Sequence, residues 1–67
     1  MIRAEVTLDP ARDSEHIKWL VENVGQSALF ADHVDEERPW YVDYLFRKNV
    51  YRFAREEDAI MFSLRFS

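Results

Sequence analysis

The apolar pattern of this 67-residue chain predicts an α+β protein: a small two-layer sandwich in which an antiparallel, three- to four-stranded sheet carries two helices on one face, in the order β-α-(β)-β-β-α. Three observations lead there. Ile2, Ala4, Val6 and Leu8 alternate with Arg3, Glu5 and Thr7; residues 10–24 hold apolar side chains at helical spacing; and eight of the ten aromatic residues fall between Trp40 and Phe66. That last stretch reads as a β-hairpin followed by a closing amphipathic helix.

The period of two over residues 2–8 is that of a strand with one buried face. Asp9 is an N-cap candidate and Pro10 suits the first helical position, while Asp13 and Glu15 complement the positive end of the helix dipole. Ile17, Leu20, Val21 and Val24 form the apolar stripe, and Gly25 stands where a C-cap is expected, so the first helix is predicted from Pro10 to Val24. Residues 26–39 are long for a structureless connection in so small a domain. Ser27 to Ala31 could form a short edge strand, with Asp32 to Pro39 a charged loop.

From Trp40 the pattern sharpens. Trp40, Val42, Tyr44 and Phe46 share one strand face, and Tyr51 and Phe53 share a face on the next. A two-residue loop at Lys48-Asn49 would pair Phe46 with Tyr51 and Tyr44 with Phe53, placing all these rings in the core. Glu56-Glu57-Asp58 then forms an acidic first turn, and Ala59, Phe62 and Phe66 continue at helical spacing with Ile60 and Leu64 flanking. A final strand over residues 62–67 is the competing reading, but it leaves too short a helix before it. The sheet face opposite the helices is expected to carry Arg3, Glu5, Thr7, Tyr41, Asp43, Leu45, Arg47, Val50, Arg52 and Ala54.

A chain this short makes one domain, near the size at which only about 60% of the unfolded surface can be buried. Most of the aromatic residues are therefore needed for the core. With no cysteine there is no disulfide or thiolate metal site, which suits a reducing cytoplasm, and oligomerisation is the remaining source of extra support. No apolar run approaches about 18 residues and the chain starts directly into a strand, so a soluble, cytoplasmic protein is expected. The net charge of −4 argues against a general nucleic-acid or anionic-membrane binder. Its layout is uneven, with Asp32, Asp35, Glu36 and Glu37 in one stretch and Arg47, Lys48, Arg52 and Arg55 in another.

No catalytic, metal or cofactor motif stands out. The segment Asp32-His33-Val34-Asp35-Glu36-Glu37 holds ligand types for a divalent cation but matches no binding-loop spacing, and reads as a solvated acidic loop. His16 and Glu15 are adjacent on a helix and point apart, so they form no dyad; both are expected at the surface. One glycine in the chain leaves no phosphate-binding loop, and no serine lies in a nucleophile elbow. Strand aromatics among basic residues resemble sheets that stack RNA bases, but turning them outward would strip both helices of their packing partners. Trp19 lies about 200° around the helix from Ile17 and so outside the stripe, which marks it as an interface anchor or as a ring folded back onto the long loop near Phe30. Met61 is likewise off the main face of its helix.

The segment Phe53-x4-Asp58-Ala59-x-x-Phe62-x-Leu64-Arg65-Phe66 resembles the ends of short, uncharacterised proteins of tailed bacteriophages, where an aromatic strand precedes an Asp-Ala-x-x-Phe-x-Leu-Arg ending usually closed by Trp. Here Phe66 takes that place. The resemblance covers about fourteen residues and implies no catalytic residues; it implies a small phage-encoded protein that acts by binding a host protein. The expectation is thus a non-enzymatic, cofactor-free protein-interaction module in the host cytoplasm. Its partner-binding residues would be Trp19 with the acidic residues Asp32, Asp35, Glu36 and Glu37, and the outer sheet face around Tyr41, Leu45, Arg47 and Arg52. A nucleic-acid binder using the basic hairpin and a homo-oligomeric virion component are the alternatives.

Overall fold

The structure, a computed structural model, describes residues 2–66 and builds the α+β fold expected from the sequence. In chain order it comprises β1 (Ala4–Leu8), α1 (Asp13–Asn23), β2 (Trp40–Leu45), β3 (Lys48–Phe53) and α2 (Glu56–Phe66), with 3-10 turns at Pro10–Arg12 and Ala31–His33. The strands form one antiparallel sheet in the order β1-β3-β2, and both helices pack on one face of it.

Asp9 opens the helical segment by accepting the Ala11 amide at 2.8 Å, and a 3-10 turn from Pro10 leads into α1. The helix ends at Asn23 with Val24 as its C-cap, and the chain leaves it through Gly25, whose φ of 137° is open to glycine and strained for other residues. The Trp40 indole donates to the Gly25 carbonyl at 2.7 Å, which ties the end of α1 to the start of β2. The segment after Gly25 is less regular than an edge strand: it contributes one parallel bridge, Ser27 with Trp40, before the turn at Ala31–His33. α2 runs to Phe66 as a helix, so the final-strand alternative fails; Ser67 lies outside the described residues.

Phe62 is fully buried at the centre of the core. Its ring lies 4.8–5.8 Å from those of Tyr51, Phe66, Phe53, Trp19 and His16, so one α2 side chain gathers rings from α1, β3 and its own helix. Leu20, Trp40 and Ala59 complete the buried cluster, with Ala4, Val6 and Leu8 packed against it from β1. This arrangement turns α1 from its expected orientation. His16 and Leu20 are its buried residues and Trp19 is half-buried, whereas Val21, expected in the stripe, is 55% exposed. The cause is the approach of α2: its Phe62 and Phe66 draw the His16 and Trp19 side of α1 inward.

Register is the second correction. β2 and β3 are joined by a two-residue turn at Phe46-Arg47, not Lys48-Asn49, so Val42 faces Tyr51 and Trp40 faces Phe53. Because the slip is an even number of residues, every side chain keeps its face. Tyr51 and Phe53 stay in the core, but Tyr44 and Phe46 are carried out past it.

A smaller cluster, Ala28, Val34 and Ala54 with Ile2 and Tyr41, packs on the opposite face, where the connection between α1 and β2 folds under the sheet. Ile2 was expected on the helix side. The Arg3 amide bonds the Phe53 carbonyl at 2.8 Å although Ala4 is the residue paired with Phe53. That extra residue in β1 is a bulge, and it turns Ile2 to the other face.

Truncation should separate core rings from the rest. Phe62→Ala is expected to cost about 3–5 kcal/mol, enough to unfold much of a domain this small. Phe46→Ala should change stability by less than about 0.5 kcal/mol. Urea denaturation followed by tryptophan fluorescence measures both.

Candidate functional site

The turn at Phe46-Arg47 projects beyond the last ladder pair, Leu45 with Lys48. Tyr44 is 59%, Leu45 43% and Phe46 85% exposed, and Phe46 is the most exposed large apolar residue described. Arg47 has a φ of 61°, a left-handed conformation that costs a non-glycine residue roughly 1–2 kcal/mol. Its guanidinium lies 5.0 Å from the centre of the Phe46 ring, a stacking worth about 0.5–1 kcal/mol at an exposed site. The stacking therefore does not offset the strain, and folding stability alone does not account for arginine at this position.

Alternation could not have revealed Tyr44 and Phe46, since both registers put them on the same face. The available signal was at the other end of the hairpin: only the shorter register brings Tyr51 and Phe53 opposite Val42 and Trp40, under the helices.

The anticipated partner residues fall in four places. Leu45 and Arg47 belong to the tip. Tyr41 and Arg52 are cross-strand partners in the middle of the outer face. Tyr41 is half-buried against the small cluster, and Arg52 is engaged by Glu5 on one side and by Asp43 at 3.4 Å on the other. Much of the outer face is thus covered or internally neutralised; Val50 and Ala54, expected on it, are buried.

Asp32, Asp35, Glu36 and Glu37 are exposed at the opposite end of the sheet from the tip. There Asp35 and Glu36 line a cleft with Arg3, Ala54, Arg55 and Glu56. Asp35 shapes its own loop: its Oδ1 accepts the amides of Glu37 and Arg38, each at 2.9 Å, and these donors hold the carboxyl below its usual range. Trp19 is separate from this loop, packed on Phe62 and Phe66, while the ring beside Phe30 is His33 at 5.4 Å. The pairing of Trp19 with the acidic loop into one surface does not occur in the fold.

His16, expected at the surface, is 4% exposed. Its Nδ1 lies 3.2 Å from the Tyr51 hydroxyl, which also accepts from the Asn49 amide at 3.4 Å. The Tyr51 hydroxyl thus links the Asn49 amide to the His16 imidazole in one hydrogen-bonded chain, the direction of its bond to Nδ1 set by the imidazole tautomer. Asn49 and Tyr51 lie on adjacent inward positions of β3, and the rings of Phe62 and Phe66 close the pocket around His16. Burial lowers the His16 pKa, the nearby Arg12 charge adds to this, and Glu15 and Asp13 oppose it. Burial likewise raises the Tyr51 pKa against the Asn49 hydrogen bond.

Among the described residues no group of three or more His, Asp or Glu side chains could hold a metal ion, and no helix is long and apolar enough to cross a membrane. Comparison with protein-family models, curated proteins and solved structures found no match.

Two measurements test the energetics of this region. Arg47→Gly should stabilise the fold by about 0.5–1 kcal/mol, read from the urea midpoint, because relief of the left-handed strain exceeds the added freedom of the unfolded chain. The His16 pocket should make the fold acid-sensitive. The unfolded chain binds the proton near the ordinary histidine value of 6.5 and the folded chain only at lower pH, so this stability is present above 6.5 and is lost as pH falls from there toward the folded value. Thermal midpoints from about pH 7 to about pH 5 should fall further for the native chain than for His16→Gln.

Proposed function

We propose that this protein is a non-enzymatic interaction module that contacts a protein partner through the hairpin tip, Tyr44 to Lys48. The observation that carries the reading is Phe46, 85% exposed on a turn whose arginine is held in a left-handed conformation. Strain that packing does not repay concentrates at functional positions, and an aromatic ring beside an arginine is a frequent energetic anchor of interfaces. Arg47 and Lys48 supply positive charge at the tip, which favours an acidic partner surface and would steer its approach. The resemblance of the C-terminal segment to phage proteins adds a host protein as the partner and the host cytoplasm as the place of action.

The alternative of a nucleic-acid-binding hairpin draws less support. Of the four cations in this part of the chain, Arg52 is ion-paired with Glu5 and Asp43, and Arg55 with Asp58 at 2.8 Å. Two basic side chains on a protein of net charge −4 offer little counterion release.

The test is comparative affinity capture from bacterial lysate with the native chain and with Phe46→Ala and Arg47→Glu, all shown to be folded by circular dichroism. A partner retained by the native chain should be lost by both variants, with a fall of about 30-fold or more in affinity when the purified pair is titrated. Equal retention by all three chains would refute the tip as the contact. Binding of single-stranded RNA or DNA at moderate salt, abolished by Arg47→Glu, would favour the alternative.

A further inference from the structure

β1 forms one edge of the sheet, and among the described residues no strand or bridge pairs with its outer side. The other edge is partly closed, since the Ala28 amide donates to the Trp40 carbonyl of β2 at 2.7 Å. The peptide groups on the open edge can be identified. The two-residue turn makes Leu45 and Lys48 a hydrogen-bonded pair, so alternate residues of β3 address β2 and the others address β1. Ala54 N bonding Pro39 O at 2.9 Å and Arg3 N bonding Phe53 O agree with that phase. Ala4, Val6 and Leu8 therefore bond β3, while Glu5 and Thr7 turn their N–H and C=O groups outward.

Along this edge runs an open groove of about 380 Å³ between β1 and α2, floored by Ala4, Val6 and Ala59 and walled by Ile60 and Leu64. Ile60 is 58% and Leu64 73% exposed. An added strand would lie in this groove with its inward side chains beneath these two residues.

The sequence of β1 itself fits that place. Aligned antiparallel to a copy of itself about Val6, residues 3–9 match position by position: Arg3 is level with Asp9, Ala4 with Leu8, Glu5 with Thr7, and Val6 with Val6. In this register Glu5 and Thr7, whose peptide groups point outward, face each other and can exchange both hydrogen bonds. The neighbouring in-phase registers oppose like charges, placing Glu5 against Glu5 when centred on Glu5 and Glu5 against Asp9 when centred on Thr7. Centring on Ala4 would engage Arg3, whose amide is already bonded to Phe53, and Ile2, which the bulge has turned to the other face. Of these four registers, charge and hydrogen-bond phase favour the one centred on Val6.

We propose that the protein forms a two-fold symmetric dimer in which β1 pairs antiparallel with β1 of a second copy about Val6, joining two three-stranded sheets into one and setting the two α2 helices side by side over the seam. An isologous contact of this kind closes on itself, so assembly stops at two chains. It covers the Ile60 and Leu64 face and leaves both hairpin tips free, so it is independent of the tip's role.

Sedimentation equilibrium of the full chain should show the mass rising with concentration from 8.1 kDa toward twice that value and no further. The amides of Glu5 and Thr7 should become about tenfold or more protected from hydrogen exchange as the dimer fills. Leu64→Glu, a change at an exposed side chain, should weaken dimerisation by about tenfold or more while the monomer stays folded, because the carboxylate would be buried at the seam. The cysteine-free sequence allows a direct register test. Across the two-fold the Val6 Cα atoms would lie about 4.5 Å apart, within disulfide range, so Val6→Cys should cross-link under oxidation and Thr7→Cys should not. A single-chain mass at every concentration overturns the proposal, as does a dimer indifferent to Leu64→Glu or one that Thr7→Cys cross-links as fast as Val6→Cys.

Discussion

The packing around Phe62 is the constraint on which the rest of the structure depends. A cysteine-free chain of 67 residues has no covalent brace, and its one substantial core must be built from few large side chains. Phe62 meets that need by touching rings from α1, β3 and α2 at once. Several departures from simple expectation follow from it. α1 turns so that His16 and Trp19 can reach the α2 rings, which puts Val21 in solvent. His16, once inside, requires a hydrogen-bonding partner, and Tyr51 provides one. β3 must present Tyr51 and Phe53 directly beneath α2, which fixes how far along β2 they pair and hence where the hairpin turns.

That sequence of causes explains which parts of the fold were legible in the chain. β1 was readable because strict alternation has one interpretation, and α2 because Ala59, Phe62 and Phe66 recur at helical spacing behind an acidic first turn. The hairpin was legible only in its faces. Moving the turn by two residues shifts the pairing by four and conserves every inward and outward assignment, so alternation is silent about it, and Lys48-Asn49 is the better turn by local chemistry. Tertiary packing overrode that preference: Asn49 became a buried donor to Tyr51, and the turn fell to Phe46-Arg47, which has no local aptitude for it. The same limitation hid the candidate site, because Tyr44 and Phe46 look like core until the register is known. His16 was missed for a different reason. Its spacing of four from Leu20 places it on the buried stripe, but only the α2 rings and the Tyr51 hydroxyl make that position tolerable for an imidazole.

The connection between α1 and β2 shows how a small domain limits the surface available for binding. It is too irregular to be a strand, yet Ala28 and Val34 are buried and Asp35 organises its own turn, so it closes one part of the outer face with Ile2, Tyr41 and Ala54. Arg52 binds Glu5 and Asp43 across all three strands and neutralises another part. The outer face therefore supports the fold more than it offers charge to a ligand. Trp19, isolated in the sequence, is likewise drawn into packing by its neighbours Phe62 and Phe66.

Among the exposed features that the core does not account for, two differ in physical kind. The hairpin tip carries backbone strain: an arginine in a conformation it does not favour is stacked on an outward phenylalanine at the far end of the sheet. The β1 edge is defined by unmet backbone valence beside an apolar groove. Natural edge strands are usually blunted by charge, proline or a bulge. β1 is preceded by its bulge at Arg3, which marks where regular pairing can start, and the charges along it, Arg3, Glu5 and Asp9, oppose like charges in the registers centred on Glu5 and Thr7 but not in the one centred on Val6. An edge intended only to repel would not be complementary to itself. A chain too small to enclose a deep pocket can still recognise another surface at its rim, and here both the backbone of β1 and the tip of the hairpin lie outside the ring cluster, where they can bind without disturbing Phe62.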